Sequence, residues 1–145
     1  MIALDTTVLL YAVGTEHRYR EPARAIVAAL GEGAIRATTT VEVIQEFAQV
    51  RSRRRDREDA SRLARQFVQL LAPLLPVEDE HLDLGLTLFE RKGALRAFDA
   101  VLAATALGSG IDVLVSADRA FAEVPGLTVV PLEEAASTLG LANAQ

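Results

Sequence analysis

Apolar residues along the chain alternate between short unbroken runs and longer stretches with helical spacing. Ile2-Ala3-Leu4 is a short run that stops at a carboxylate, Asp5. Runs of this kind suit strands buried on both faces of a parallel sheet. Thr6 and Thr7 follow before the apolar pattern resumes at Val8-Leu9-Leu10-Tyr11. Residues 21–30 read as a helix, with Ala25, Ile26, Ala29 and Leu30 at helical spacing, Pro22 in the first turn and Gly31 at the stop. Residues 34–37 form a second strand by the same logic. Thr38-Thr39-Thr40 leads into a helix with Val43, Ile44, Phe47 and Val50 on its apolar side. An arginine-rich stretch ends it, and Asp56, Glu58 and Asp59 open the next helix, which is amphipathic through Leu63, Ala64, Phe67, Val68 and Leu71.

Pro73 stops that helix, and residues 74–77 read as a short strand at a sheet edge, where proline is tolerated. Residues 79–92 form a helix patterned on Leu82, Leu86 and Phe89, with Gly93 in the C′ place. A helix of small residues runs from about Phe98 to Leu107, and Gly108-Ser109-Gly110 turns the chain. Asp112-Val113-Leu114-Val115-Ser116 is the clearest strand, residues 127–130 the last one, and residues 132–139 a terminal helix. Strands alternating with helices imply an α/β domain of three layers, α/β/α, around a central, mainly parallel sheet with right-handed crossovers. At 145 residues the expectation is a single domain spanning 1–145.

Composition narrows the function. There is no cysteine, which removes disulfides, thiol nucleophiles and zinc ribbons. No apolar run reaches the roughly 18 residues of a membrane span, and Asp5 interrupts an N-terminus that lacks a basic leader. A cytoplasmic protein without a membrane partner is expected. The net charge of −5 argues weakly against nucleic-acid binding, since phosphate contacts need a basic surface. That argument weakens if acids gather in one metal-binding cleft and basic residues lie elsewhere. Fourteen of the fifteen basic residues are arginine, Lys92 being the exception.

Topology selects among the acids. Asp5 and Asp118 both stand just past the C-terminal ends of strands, the edge where open α/β sheets place ligands. Asp112 precedes its strand and belongs to the opposite edge, as a turn residue. Glu42 completes Thr39-x-x-Glu42, a capping box that satisfies the helix start. Glu46 is too far along for that task and lies at the border of the buried stripe, where a carboxylate needs a partner or a metal. Asp99 opens a helix, where the dipole favours an anion whatever its function. Asp5, Asp99 and Asp118 can all reach one sheet edge, with Glu46 entering from its helix.

The segments Asp5-Thr6-Thr7-Val8-Leu9-Leu10-Tyr11, Val43-Ile44-Gln45-Glu46-Phe47, Phe98-Asp99-Ala100 and Ser116-Ala117-Asp118-Arg119-Ala120-Phe121 resemble the ordered acidic motifs of PIN-domain ribonucleases. Among these the chain is most similar to the bacterial VapC toxins of type II toxin–antitoxin pairs. The resemblance covers nearly the whole chain and implies a PIN-like fold. It implies a four-carboxylate site made of Asp5, Glu46, Asp99 and Asp118, with Ser116 as the small hydroxyl residue two before the last acid. Thr7 departs from the asparagine or serine often found there. The resemblance further implies Mg²⁺ or Mn²⁺, an RNA substrate, hydrolysis by metal-activated water to a 5′-phosphate and a 3′-hydroxyl, a homodimer, and a VapB-like antitoxin. Such chemistry needs charge neutralisation and an activated water, which an oxygen-ligated divalent cation supplies.

Other classes fit less well. A haloacid-dehalogenase-like phosphatase needs a second Asp where Thr7 stands, and a lysine other than Lys92 at a helix end. A receiver domain needs an acidic pair and a lysine that are missing. No Gly-x-Gly-x-x-Gly opens a helix, and His17 and His81 read as isolated and exposed. A non-catalytic PIN-like RNA- or protein-binding domain is the alternative of another class. Arg51, Arg53, Arg54, Arg55 and Arg57 read most simply as a solvated helix end, or else as an RNA or antitoxin contact.

Overall fold

The computed structural model describes residues 1–141. Its centre is a four-stranded sheet in the order β2-β1-β3-β4, formed by β1 (Ile2–Leu4), β2 (Ala37–Thr38), β3 (Val113–Ser116) and β4 (Thr128–Pro131). Every pairing is parallel, with Ala3 opposite Thr38 on one side and Leu114 on the other. All three residues of β1 are buried, as are Leu114 and Val115 of β3, so both faces of the sheet are covered. The expected α/β/α layering is therefore present.

The helices are α1 (Thr6–Val13), α2 (Arg20–Gly31), α3 (Val41–Arg54), α4 (Arg57–Leu71), α5 (Asp79–Arg91), α6 (Ala97–Gly108) and α7 (Ala135–Thr138). Short 3₁₀ turns occupy Arg119–Glu123 and Leu132–Glu134, so the expected terminal helix is split in two. Residues 74–77 do not form an edge strand. A single bridge joins Leu75 to Thr40, because Pro73 and Pro76 bring no N–H groups to a ladder. The second strand starts later than residues 34–37, since β2 takes its register from Ile2 opposite Ala37. A helix capped by Asp5 is one reading of the residues after β1, but its extent is not legible in the sequence. Val8, Leu9 and Ala12 are buried and Leu10 and Tyr11 partly so, which blurs the helical period.

The start of α3 also differs from expectation. Thr40, not Thr39, is the N-cap, its hydroxyl accepting from the Val43 N–H at 3.3 Å. Thr39 donates instead to the Leu4 carbonyl at 2.7 Å, which ties β2 to the end of β1. The Thr39–Glu42 capping box is therefore absent, and Glu42 is exposed. Arg51 is not part of a solvated end. Its side chain is 11% exposed, donates to Asp59 at 2.7 Å and to the Val13 carbonyl at 3.1 Å, and pins α1, α3 and α4 together. Arg53, Arg54, Arg55 and Arg57 are exposed as expected. His81 is half-buried, its Nδ1 accepting from the Glu78 N–H to cap α5.

Candidate active site

Four segments meet at the C-terminal edge of the sheet. Asp5 leaves β1 and caps α1, accepting from the Thr7 N–H at 3.1 Å. Capping and a place at the sheet edge are thus both true of Asp5. The Thr7 hydroxyl also donates to Asp5 Oδ1, and itself accepts from the Ala117 N–H at 3.1 Å. On the other side, Ser116 donates to Asp5 Oδ2 at 2.7 Å and accepts from the Asp118 N–H at 2.8 Å. Ser116 and Thr7 therefore stitch the end of β3 to the end of β1. Asp118 caps the following 3₁₀ turn through the Ala120 N–H at 2.9 Å.

Glu46 reaches the same edge from the second turn of α3, held by the Thr6 hydroxyl at 2.8 Å. Asp99, in the first turn of α6, is buried. Because α6 runs back along the sheet before feeding β3, its start lies beside the ends of β1 and β3. Arg96, three residues earlier, spans two of the acids. Its Nε lies 3.5 Å from Asp99 Oδ2 and its Nη2 3.8 Å from Glu46 Oε1. The structure thus brings together Asp5, Glu46, Asp99, Asp118 and Ser116, and leaves Glu42 and Asp112 exposed outside the group. Sequence reasoning missed Thr6 and Arg96 as members of the site and took Thr7 only as a departure from the family pattern. The hydroxyl pair after Asp5 and an arginine one helical turn before Asp99 were the available signals.

The electrostatics are those of crowded acids. Burial pushes the Asp5 carboxyl up to about 7, with a smaller push from Asp99, against the hydrogen bonds of Thr7 and Ser116 that favour its anion. Asp99 is also raised, first by burial, then by Asp118 and Glu46, while Arg96 opposes the shift. Arg96 is the main influence opposing that rise, although its guanidinium is 70% exposed and partly screened by solvent. Among the described residues, no three Asp, Glu or His side chains are arranged to hold a metal ion directly. Asp5 is instead held by Thr7 and Ser116, and one Glu46 oxygen by Thr6. The donor set still fits a hard divalent cation. It is all oxygen and short of countercharge, and Mg²⁺ keeps several waters while taking only one or two carboxylates.

An apolar cavity of about 310 Å³ opens beside Glu46 and Asp99, lined by Val43, Leu82, Leu86 and Phe98 among others. A wider cleft of about 970 Å³ continues past Arg96 toward Phe89 and Arg53. Phe98, next to Asp99, is 75% exposed.

Comparison with known proteins agrees with this architecture. The PIN domain family profile matches residues 2–127. Ribonuclease VapC7 of Mycobacterium tuberculosis is 50% identical over 136 residues, covering 90% of this chain and 92% of that protein. Among solved structures, FitAcB from Neisseria gonorrhoeae superposes with a TM-score of 0.71 at 17% identity, covering 91% of this chain and 98% of the other. VapBC2 from Rickettsia felis, bound to a DNA fragment from its promoter, gives a TM-score of 0.69 at 18% identity, with coverages of 90% and 98%. The chain belongs to the PIN-domain family.

Proposed function

We propose that the protein is a divalent-metal-dependent endoribonuclease, the toxin of a type II toxin–antitoxin pair, acting on RNA phosphodiesters in the cytoplasm. One observation carries the reading: Asp5, Glu46, Asp99 and Asp118, from four separate segments, share one sheet edge, where burial and neighbouring acids raise the pKa of Asp5 and Asp99. Half-identity to a VapC ribonuclease across nearly the whole chain supports it. Asp5, Asp99, Asp118 and Glu46 would hold Mg²⁺ or Mn²⁺, directly or through water. When bound, the ion supplies charge neutralisation at the phosphate and an activated water.

The chain's own residues do the positioning. Ser116 and Thr7 hold both Asp5 oxygens as acceptors, so this carboxylate faces the site in one orientation. Thr6 does the same for Glu46 and leaves its second oxygen toward Arg96 and the cleft. Glu46 is thereby suited to orient a water or accept a proton. The α6 N-terminus adds partial positive charge near the developing anion.

A VapB-like antitoxin is the proposed protein partner, in keeping with the VapBC2 assembly to which the fold is similar. The exposed Leu82, Leu86, Phe89 and Phe98 beside the site offer it an apolar surface, and a second copy of the chain would complete the homodimer expected for the family. The test is cleavage of single-stranded RNA with Mn²⁺ or Mg²⁺, repeated in EDTA and with Asp118→Asn. Loss of cleavage in both arms is expected. Equal cleavage in EDTA refutes the metal-dependent reading, and RNA binding without any cleavage favours the non-catalytic binding domain.

A further inference from the structure

Arg96 stands at the head of α6 between two acids of the site. Arg96 occupies the N-cap position yet makes no capping hydrogen bond, whereas Asp5, Thr40 and Asp56 cap their helices in the usual way. Its guanidinium lies between Glu46 and Asp99, and among the described residues no other cation is paired with the acids of the site. Both contacts, at 3.5 and 3.8 Å, exceed the 2.7–2.9 Å typical of a charge-assisted hydrogen bond, and the side chain is 70% exposed. The guanidinium is therefore held loosely, with the open cleft on its outer side.

RNA approaching this edge meets a cluster of carboxylates that repels its backbone. A guanidinium on the cleft side of those carboxylates is matched to phosphate in charge and in hydrogen-bonding shape. We propose that Arg96 is a substrate-binding residue that exchanges partners: in the free protein it bridges Glu46 and Asp99 in competition with a divalent cation, and with RNA bound it swings into the cleft to hold a backbone phosphate beside the cleaved bond. The inference rests on the metal-dependent reading of the site given above. By linkage, drawing Arg96 away from the acids favours cation binding, and a bound cation favours release of Arg96 toward RNA.

The experiment compares the parent with Arg96→Gln and Arg96→Lys. The midpoint of stabilisation by Mn²⁺ is read from thermal melts without RNA, and KM and kcat are read separately with an RNA substrate. Removing an exposed competing charge should tighten the Mn²⁺ midpoint of Arg96→Gln about two- to fivefold. Its KM for RNA should rise about tenfold, the worth of one charge-assisted phosphate contact, and Arg96→Lys should recover part of it. An Arg96→Gln protein with an unchanged or weaker Mn²⁺ midpoint overturns the competition, and one with the parent's KM overturns the phosphate contact. If the parent shows no Mn²⁺ midpoint at all, the metal-dependent reading fails and takes this inference with it. A parent midpoint that Arg96→Gln leaves unmoved refutes the inference alone.

Discussion

Replacing Asp5 by Asn should make the metal-free protein more stable at neutral pH and less so in acid. The Asp5 carboxyl holds its proton up to about pH 7 in the folded state, whereas its ordinary value is 3.8. Between those values the folded state binds a proton that the unfolded state has released, so stability falls as pH rises across the window and is level above it. A displacement of this size corresponds to about 4 kcal/mol of strain at pH 8. Asn removes that strain at a cost. Its amide nitrogen cannot accept the Ser116 hydroxyl proton, and one lost hydrogen bond subtracts about 1 kcal/mol. Local relaxation around the charged parent takes a further share, leaving a gain of about 2 kcal/mol, or a Tm roughly 6 °C higher at pH 8. At pH 4 the parent is protonated, the strain is gone, and Asp5→Asn should be the less stable of the two. Urea melts of both proteins in EDTA, from pH 4 to pH 8, measure the difference directly. A stability difference that stays constant across that range refutes the reasoning.

Asp99→Asn should raise the metal-free Tm, because burial and the charges of Asp118 and Glu46 all disfavour its anion, and it should shrink the stabilisation by Mn²⁺; melts with EDTA and with excess Mn²⁺ measure both. Thr40→Ala should cost about 1 kcal/mol by uncapping α3, while Glu42→Gln, on an exposed side chain, should be neutral; denaturant midpoints separate them. Arg51→Ala should lower the Tm at pH 7. Arg51 holds the Asp59 carboxyl below the usual range, so that stabilisation is present above the ordinary carboxylate pKa and fades as pH falls through the depressed one, which melts at pH 7 and pH 2.5 can follow. Replacing Arg53, Arg54 and Arg55 together by Ala should weaken RNA binding and flatten its salt dependence if the cluster touches phosphates; an unchanged slope returns it to plain surface.

What could be read from the chain depended on distance along it. The parallel sheet was legible because its strands are short apolar runs, and the acids were legible because strand ends and helix starts place them on one edge. The bonds that orient those acids were not. Ser116 reaches Asp5 across 111 residues and Thr6 reaches Glu46 across 40, and neither link leaves a periodic trace. The Thr39–Glu42 capping box failed for a related reason. Thr39 was claimed by the Leu4 carbonyl of a strand 35 residues away, so capping passed to Thr40.

Helix α5 shows how a correct pattern can point away from the core. Leu82, Leu86 and Phe89 recur at helical spacing, yet each is between 45% and 47% exposed. The neighbouring stripe of His81, Gly85 and Leu88 is the one turned toward α6 and the interior. A Cβ at Gly85 would stand 2.7 Å from the Val101 side chain, and one at Gly108 would stand 2.6 Å from the His81 ring. Leu88 packs against the core. Two glycines thus let α5 and α6 approach until little side-chain volume fits between them. Leu82 and Leu86, displaced by about 100° around the helix, then line the cavity that ends at Glu46 and Asp99, and Phe89 lines the cleft beyond it. An apolar stripe left uncovered beside an acidic site is a surface that a partner can cover. Helix α5 therefore helps to hold α6, and with it Asp99 and Arg96, in place on one face while offering a partner its other face.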